Sequence, residues 1–288
     1  MHQKESVMFQ IIADSGCDLR GLSHISPDAL FARAPLRIIA GNKEYVDTFD
    51  LDTRQMLDEV YAFKGKTGSA CPSPEEWAQH FRAADENYAI PISSALSGSY
   101  ASAVIARDMV LAESPEKKIY IFDVHTAGSE MSLLAEEIAR LASSGMPFEM
   151  VCSEAERYVQ RTGLLFLLNS LDNLVKNGRV SKVAGMTAKL LNIKVLGVAT
   201  PEGQVGLLHK CRGAEKAYAT VVHEMRQRGF RGGKVIIGHA HQPEGAQRLK
   251  DLILANFPGS PIVIMPNSGL CCYYAEDGGM IIGFEKAL

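Results

Sequence analysis

The sequence predicts an α/β protein of two domains. An N-terminal, mostly parallel sheet flanked by helices occupies residues 1–155, and a C-terminal α+β domain with a mixed sheet occupies residues 156–288, a ligand lying between them. Three observations carry this. Short apolar runs alternate with amphipathic stretches across the first half, the pattern of a parallel sheet covered on both faces. The second half brings strand-like runs in close succession, with hairpin chemistry at Pro201-Glu202-Gly203-Gln204 between two of them. The 288 residues are 47% apolar and 22% charged, which suits globular units with substantial cores and excludes a disordered or membrane-embedded chain.

Taken in order, residues 7–13 form a buried strand that ends in Asp14-Ser15-Gly16-Cys17-Asp18. Polar residues at such a strand end line the ligand crevice of open α/β sheets. Residues 35–39 read as a second strand and 53–63 as an amphipathic helix. Pro72 and Pro74 enforce an extended loop after Ser69; Ser73 then caps a helix, with Pro74 at its first position and Glu76 closing a capping box. Residues 88–92 end another buried strand. A helix follows without a long loop, across Ser93-Ser94-Ala95-Leu96-Ser97-Gly98-Ser99-Tyr100. Residues 118–122 make a strand ending at Asp123, and 132–144 and 148–161 make helices. The apolar run at 164–171 fits strand or helix. Asn177-Gly178 marks a turn and 179–191 a helix. Strands are expected at 194–200, 206–211, 233–239, 261–265 and 280–285, with few helices between them.

Charge and cysteine content narrow the function. The net charge is −3 with both signs interspersed, so nucleic acid is not the expected partner. Six cysteines are scattered without a Cys-x-x-Cys pair, as in a reducing compartment. With no apolar signal core and no run long enough to cross a bilayer, the expected location is the cytoplasm.

The serine loop is the strongest chemical feature. Four serines stand within seven positions at a strand–turn–helix junction, Ser93, Ser94, Ser97 and Ser99. The first turn of the helix leaves backbone N–H groups unpaired, and with the hydroxyls and the helix dipole they suit an oxyanion. A plain helix cap explains a single serine equally well. His239-Ala240-His241 could grip a metal from one face of a strand, but no further ligand stands nearby, and no metal or cofactor is expected. A hydrolase would use Ser97 with Asp14 and a histidine, yet the first glycine of the Gly-x-Ser-x-Gly elbow is missing. Phosphate-loop and dinucleotide fingerprints are absent. What remains is binding without catalysis: a long apolar ligand between the domains, its anionic head held by loop hydroxyls and N–H groups. The alternatives are a binder of another small carboxylate and a serine hydrolase.

Several segments, in order along nearly the whole chain, resemble the DegV family. They are Ile11-Ile-Ala-Asp-Ser-Gly-Cys-Asp-Leu, Ser69-Ala-Cys-Pro-Ser-Pro, Ser93-Ser-Ala-Leu-Ser-Gly-Ser-Tyr, Ile121-Phe-Asp, Leu171-Asp-Asn-Leu-Val-Lys-Asn-Gly-Arg-Val-Ser and Val235-Ile-Ile-Gly-His. The resemblance implies a bacterial fatty-acid-binding protein like the FakB-type subunits of fatty acid kinase, not an enzyme by itself, with a fatty acid buried between two α/β domains. It implies that Ser97 and Gly98 meet the carboxylate and that Ser69 stands where the family carries threonine. Ala70 and Cys71 replace the family's Ser and Gln, and Asn267-Ser268-Gly269-Leu270-Cys271 stands where members often carry His-Thr-Gly-Pro-Gly. The expected ligand contacts are thus Ser69, Ser94, Ser97, Gly98, Asn267 and Ser268. A separate fatty acid kinase is the implied partner. Arg179, with Arg212 beside Lys210, is expected to form its basic docking surface at the pocket mouth.

Overall fold

The computed structural model describes residues 8–22, 29–180 and 192–287. Its first sheet is parallel throughout, in the order β2-β1-β6-β7, from β1 (Phe9–Asp14), β2 (Leu30–Ala34), β6 (Glu86–Ile90) and β7 (Lys118–Ile121). Every residue of β1 is buried, because helices cover both faces of the sheet. The helix expected at 53–63 is α1 (Thr53–Ala62), and on one face of the sheet lie α2 (Pro74–Arg82) and α3 (Ser99–Glu113), sharing a core of Ile12, Trp77, Phe81, Ala89, Ala103 and Ala106. The expected capping box is present: Ser73 Oγ accepts from Glu76 N, while Glu76 reaches back to Ser73 N.

The second sheet is mixed, as expected, in the order β10-β9-β8-β13-β11-β12. Its strands are β8 (Thr162–Leu168), β9 (Ile193–Ala199), β10 (Val205–Arg212), β11 (Val235–His239), β12 (Ile262–Pro266) and β13 (Met280–Glu285). The ambiguous apolar run is therefore strand. The hairpin forms as its residues require: Gly203, at φ +75°, closes it by donating to Thr200 O, and β9 pairs antiparallel with β10. The expected boundary at residue 155 falls within α5 (Phe148–Gln160), shortly before β8 opens this sheet. The helix expected over 179–191 lies, beyond Val180, outside the described residues.

Two expectations are corrected. The strand at 35–39 does not join the parallel sheet. It becomes β3 (Arg37–Ala40) of a small antiparallel sheet, between β4 (Lys43–Val46) and β5 (Thr67–Ala70), and the parallel neighbour of β1 is β2. Ser69 accordingly sits in a strand and not a loop. The second half also contains more helix than expected: α7 (Ala214–Gln227), α8 (Pro243–Asn256) and the short α9 (Gly269–Ala275). In α7, Ala217, Tyr218, Val221, Val222 and Met225 form one apolar face, which packs with α8 against the outer face of the mixed sheet.

The two sheets are joined through α4 (Ser129–Ser143), which touches β1 and β6 of one and β8, β11 and β13 of the other. Burial on nearly every side explains its run of Ser, Leu, Ala and Ile. Contact is close enough that a Cβ on Gly283 of β13 would lie 2.7 Å from the Ser129–Glu130 backbone. One apolar core thus runs from Ile11 and Ile90 through Leu134 and Ile138 to Leu164 and Phe166.

Candidate functional site

The loop after β6, strands β8 and β13, the hairpin and α9 surround one cavity. Its walls are carbon for most of their extent: Leu36, Ile92 and Leu96 from the N-terminal half, Phe166, Leu168, Val205 and Ile281 from the mixed sheet, Leu270 and Ala275 from α9. About 650 Å3 is free of atoms, its open mouth included. The space is a slot walled mainly by carbon. Apart from the Cys271 thiol, the polar side chains on its wall are those of Ser69, Ser97, Arg179 and Tyr274.

Two of these, Ser97 and Arg179, mark the mouth, and the Tyr274 ring lies 5.8 Å from the Arg179 guanidinium. Leu96, Ser97 and Arg179 line both the slot and an outer cleft that also holds Ser94, Gly98, Tyr100, Ala101 and Asn177. Arg179 comes from the turn after α6 (Asp172–Lys176); its Nε donates to Leu96 O at 3.2 Å and its Nη1 to Asn177 O at 2.6 Å. Among the described residues no carboxylate pairs with it. Gly98 is the N-cap of α3 and supplies no side chain to its amides. Ser97 Oγ accepts from Ser99 N at 3.2 Å, and Ser102 N bonds Gly98 O, which leaves the Gly98, Tyr100 and Ala101 amides without a backbone acceptor among the described residues. Free amides, a hydroxyl and a guanidinium without a carboxylate partner among the described residues, at the mouth of a carbon-lined slot, can hold an anion whose remainder is apolar.

The four serines divide. Ser93 and Ser99 are fully buried. The Ser93 hydroxyl donates to Gly203 O at 2.8 Å and so ties the serine loop to the hairpin tip. Ser94 is exposed on the outer cleft, where its hydroxyl donates to Asp123 Oδ2 at 2.6 Å. Only Ser97 lines the slot. Ser69 joins it from β5, its hydroxyl 2.8 Å from that of Tyr274. Sequence reasoning missed Tyr274; no local pattern marks a tyrosine on a seven-residue helix as a pocket residue.

Asn267 and Ser268 do not line the slot. Ser268 N and Oγ donate to Asp18 Oδ1 at 2.7 and 2.8 Å, its hydroxyl also lying 2.7 Å from Ser15 O. Gly269 N and Leu270 N donate to Asp47 at 2.7 Å each, and Asp14 accepts from Ile92 N at 2.8 Å. The Asp14-Ser15-Gly16-Cys17-Asp18 segment thus holds the wall from behind, with α9 and Ile92 as its loads. Burial pushes the Asp14 and Asp18 carboxyls up to about 6, and raises Asp47 despite the adjacent Arg33. Asp18 Oδ2 and the Asn267 amide are buried without partners among the described residues.

Arg212 is not part of the mouth. It ends β10, seven residues and roughly 20 Å of strand from Val205 in the slot wall. Among the described residues no histidine lines the slot or the outer cleft. The His239 and His241 rings are engaged elsewhere: His239 Nδ1 accepts from Gln242 N, and His241 Nε2 is 2.9 Å from Thr53 Oγ1. Among the described residues no three His, Cys, Asp or Glu side chains are grouped to hold a metal ion, and no helix is long and apolar enough to cross a membrane.

Comparison with known proteins agrees with this architecture. A model of the DegV family, described as uncharacterised protein, matches residues 8–287. A DegV domain-containing protein of Streptococcus pyogenes serotype M3 is 41% identical over 277 residues, covering 96% of this chain and 99% of that protein. The chain is similar to the Streptococcus pneumoniae Fatty Acid Kinase (Fak) B3 protein loaded with linoleic acid, with a TM-score of 0.94 and 38% identity over 97% of this chain and 100% of that one. It is also similar to a DegV family protein from Eubacterium eligens loaded with heptadecanoic acid, with a TM-score of 0.93 and 34% identity over the same shares.

Proposed function

The chain belongs to the DegV family, and we propose that it is a carrier of long-chain fatty acids. The observation that carries the proposal is the slot itself: carbon along its length, with hydroxyls, free amides and one guanidinium gathered at the mouth. The division of energy suits such a cargo. Each buried methylene contributes about 0.8 kcal/mol and each charge-assisted hydrogen bond about 1.5–3 kcal/mol. The tail therefore dominates affinity, and the head contacts set direction.

In this reading the carboxylate sits where slot and cleft meet. The Ser97 hydroxyl and the Gly98 amide donate to it, Ser69 donates from the β5 side, and Arg179 neutralises its charge. Ser94 shapes the outer cleft. Asn267 and Ser268 support the site through α9 and Asp18 without touching the ligand. An N-terminal lobe to about residue 155 and a C-terminal lobe from 156 close over the tail. The carboxylate faces the outer cleft, so a separate fatty acid kinase can reach it there, and Arg179 stands where such a partner would dock. The protein acts in the cytoplasm and is not itself an enzyme: among the described residues no histidine stands beside Ser97 to act as a base.

Native mass spectrometry of protein purified from a bacterial host, followed by organic extraction, tests the proposal. A bound acid of about C14–C18 is expected. Protein that is empty on repeated isolation and takes up no added fatty acid overturns the reading. Ser97→Ala is expected to weaken binding by about 1–3 kcal/mol; stoichiometric labelling of Ser97 by a fluorophosphonate, with ester turnover lost in the variant, would establish the hydrolase instead.

A further inference from the structure

α9 grips β5 through two adjacent tyrosines. Tyr273 OH lies 2.8 Å from Thr67 Oγ1 and accepts from Asn177 Nδ2 at 2.9 Å; Tyr274 OH lies 2.8 Å from Ser69 Oγ. Thr67 and Ser69 are alternate residues on one face of the strand. The two tyrosines differ in what surrounds them. Tyr273 is fully buried and its oxygen has two partners, which makes it an anchor. Tyr274 is half-buried and lines the slot. Its ring meets Tyr273 edge-on at 4.8 Å, and the Arg179 guanidinium lies 5.8 Å from its centroid. Its hydroxyl is thus carried on a ring held from two sides.

From this geometry we propose that Tyr274 is a positioning residue for the ligand's head group, acting through Ser69; the proposal rests on the fatty-acid reading above. A serine has no second branch at Cβ to restrict its side-chain torsion, so its hydroxyl turns freely unless something fixes it. Each hydroxyl has one proton to donate, and the pair shares one hydrogen bond. The phenol is the stronger acid and is therefore the donor of that bond. Its proton goes to Ser69, and the Ser69 proton is left to point into the slot. A hydroxyl that accepts a hydrogen bond becomes a better donor. Tyr274 thereby aims and strengthens the Ser69 donor, a task the second branch of a threonine would meet only in part. Nearby Arg179 supplies charge at the same end.

Full-length delipidated protein, wild type and Tyr274→Phe, titrated calorimetrically with dodecanoic acid, dodecanol and methyl dodecanoate, tests the proposal. Phenylalanine keeps the ring packing and removes only the hydroxyl. The expected result is a five- to tenfold loss of affinity for the acid, with the alcohol and ester within about twofold of wild type. On a Ser69→Ala background, adding Tyr274→Phe is expected to change affinity for the acid by less than twofold, because the relay is already broken. Equal losses for all three ligands would mean that the hydroxyl only shapes the wall, and unchanged acid affinity would mean that it does nothing for the head group. Either outcome overturns the inference, as does a full second loss on the Ser69→Ala background. The carrier reading survives all three of these outcomes. If wild type binds none of the ligands, both readings fall.

Discussion

Ser93→Ala probes the junction on which the slot depends. The side chain is fully buried, and its hydroxyl donates to Gly203 O at 2.8 Å across the two halves of the molecule. Gly203 is itself buried at the hairpin tip, packed so tightly that a Cβ there would lie 2.2 Å from Ser93 Oγ. Alanine leaves the backbone bonds of residue 93 to Thr126, Leu96 and Ser97 intact. It strands the Gly203 carbonyl, and an unsatisfied buried acceptor costs about 1–3 kcal/mol. The Ala95 amide, which also bonds Ser93 Oγ, is exposed and finds water, so it adds little. At about 2–4 °C per kcal/mol for a chain of this size, the melting temperature should fall by roughly 3–10 °C. The hairpin carries Val205 into the slot wall. With the same energy taken from the barrier to opening, dissociation of a preloaded fluorescent fatty acid should therefore quicken about 5- to 150-fold in stopped flow. His125→Ala is the internal comparison. His125 Nδ1 lies 2.9 Å from Pro201 O at the same tip, but the ring is 45% exposed and its partner is exposed as well. Its loss should cost no more than about 0.5 kcal/mol. A Ser93→Ala melting point within 1 °C of wild type, or equal effects from the two variants, would refute the argument from burial.

Three further outcomes follow from the site. The raised Asp18 carboxyl binds its proton more tightly folded than unfolded, so its contribution to stability is present at low pH and is lost as pH rises through about 6. Asp18→Asn should therefore gain on wild type by about 1–1.5 kcal/mol between pH 5 and pH 7.5, read as the difference between paired urea titrations. The pairing matters because half-buried His80 and buried His239, whose pKa values are lowered by desolvation, titrate with the opposite sign; a difference independent of pH would remove Asp18 from the account. Ala275→Leu adds three carbons to the slot wall. It should reduce affinity for a C16 acid by about tenfold or more while shifting stability by less than about 1.5 kcal/mol, and undiminished uptake would show that the tail lies elsewhere. Arg179→Glu should weaken fatty-acid binding and, with an added kinase, slow phosphorylation most at low salt, whereas Arg212→Glu, at the far end of β10, should leave binding within about 0.5 kcal/mol.

Local chemistry alone determined a large part of this protein. The burial of β1, the capping box at Ser73 and Glu76, the hairpin at Gly203 and the start of α3 after the serine loop are each settled within a few residues, so their signals are complete in the sequence. Ser97 and Gly98 belong to that class, because a strand–turn–helix junction places its own amides. Other features depend on partners far along the chain, and only the tertiary structure decides them. Residues 37–40 carry the same apolar pattern whether they pair in the parallel sheet or with β4 and β5. The antiparallel choice brings Ser69 opposite Tyr274, 205 residues away. Ser93 and Ser97 look alike in sequence; one is buried against Gly203 and the other faces the slot, because the hairpin from the second half covers only the first. Asn267 and Ser268 read as ligand contacts until Asp18, 250 residues earlier, is found accepting the Ser268 hydrogen bonds. Arg179 and Arg212 are both basic residues beside turns, and strand length alone puts one at the mouth and the other roughly 20 Å along β10. Sequence fixes what a segment can form from its own neighbours; which hydroxyl, carboxylate or guanidinium faces the ligand is decided by what the rest of the chain lays against it.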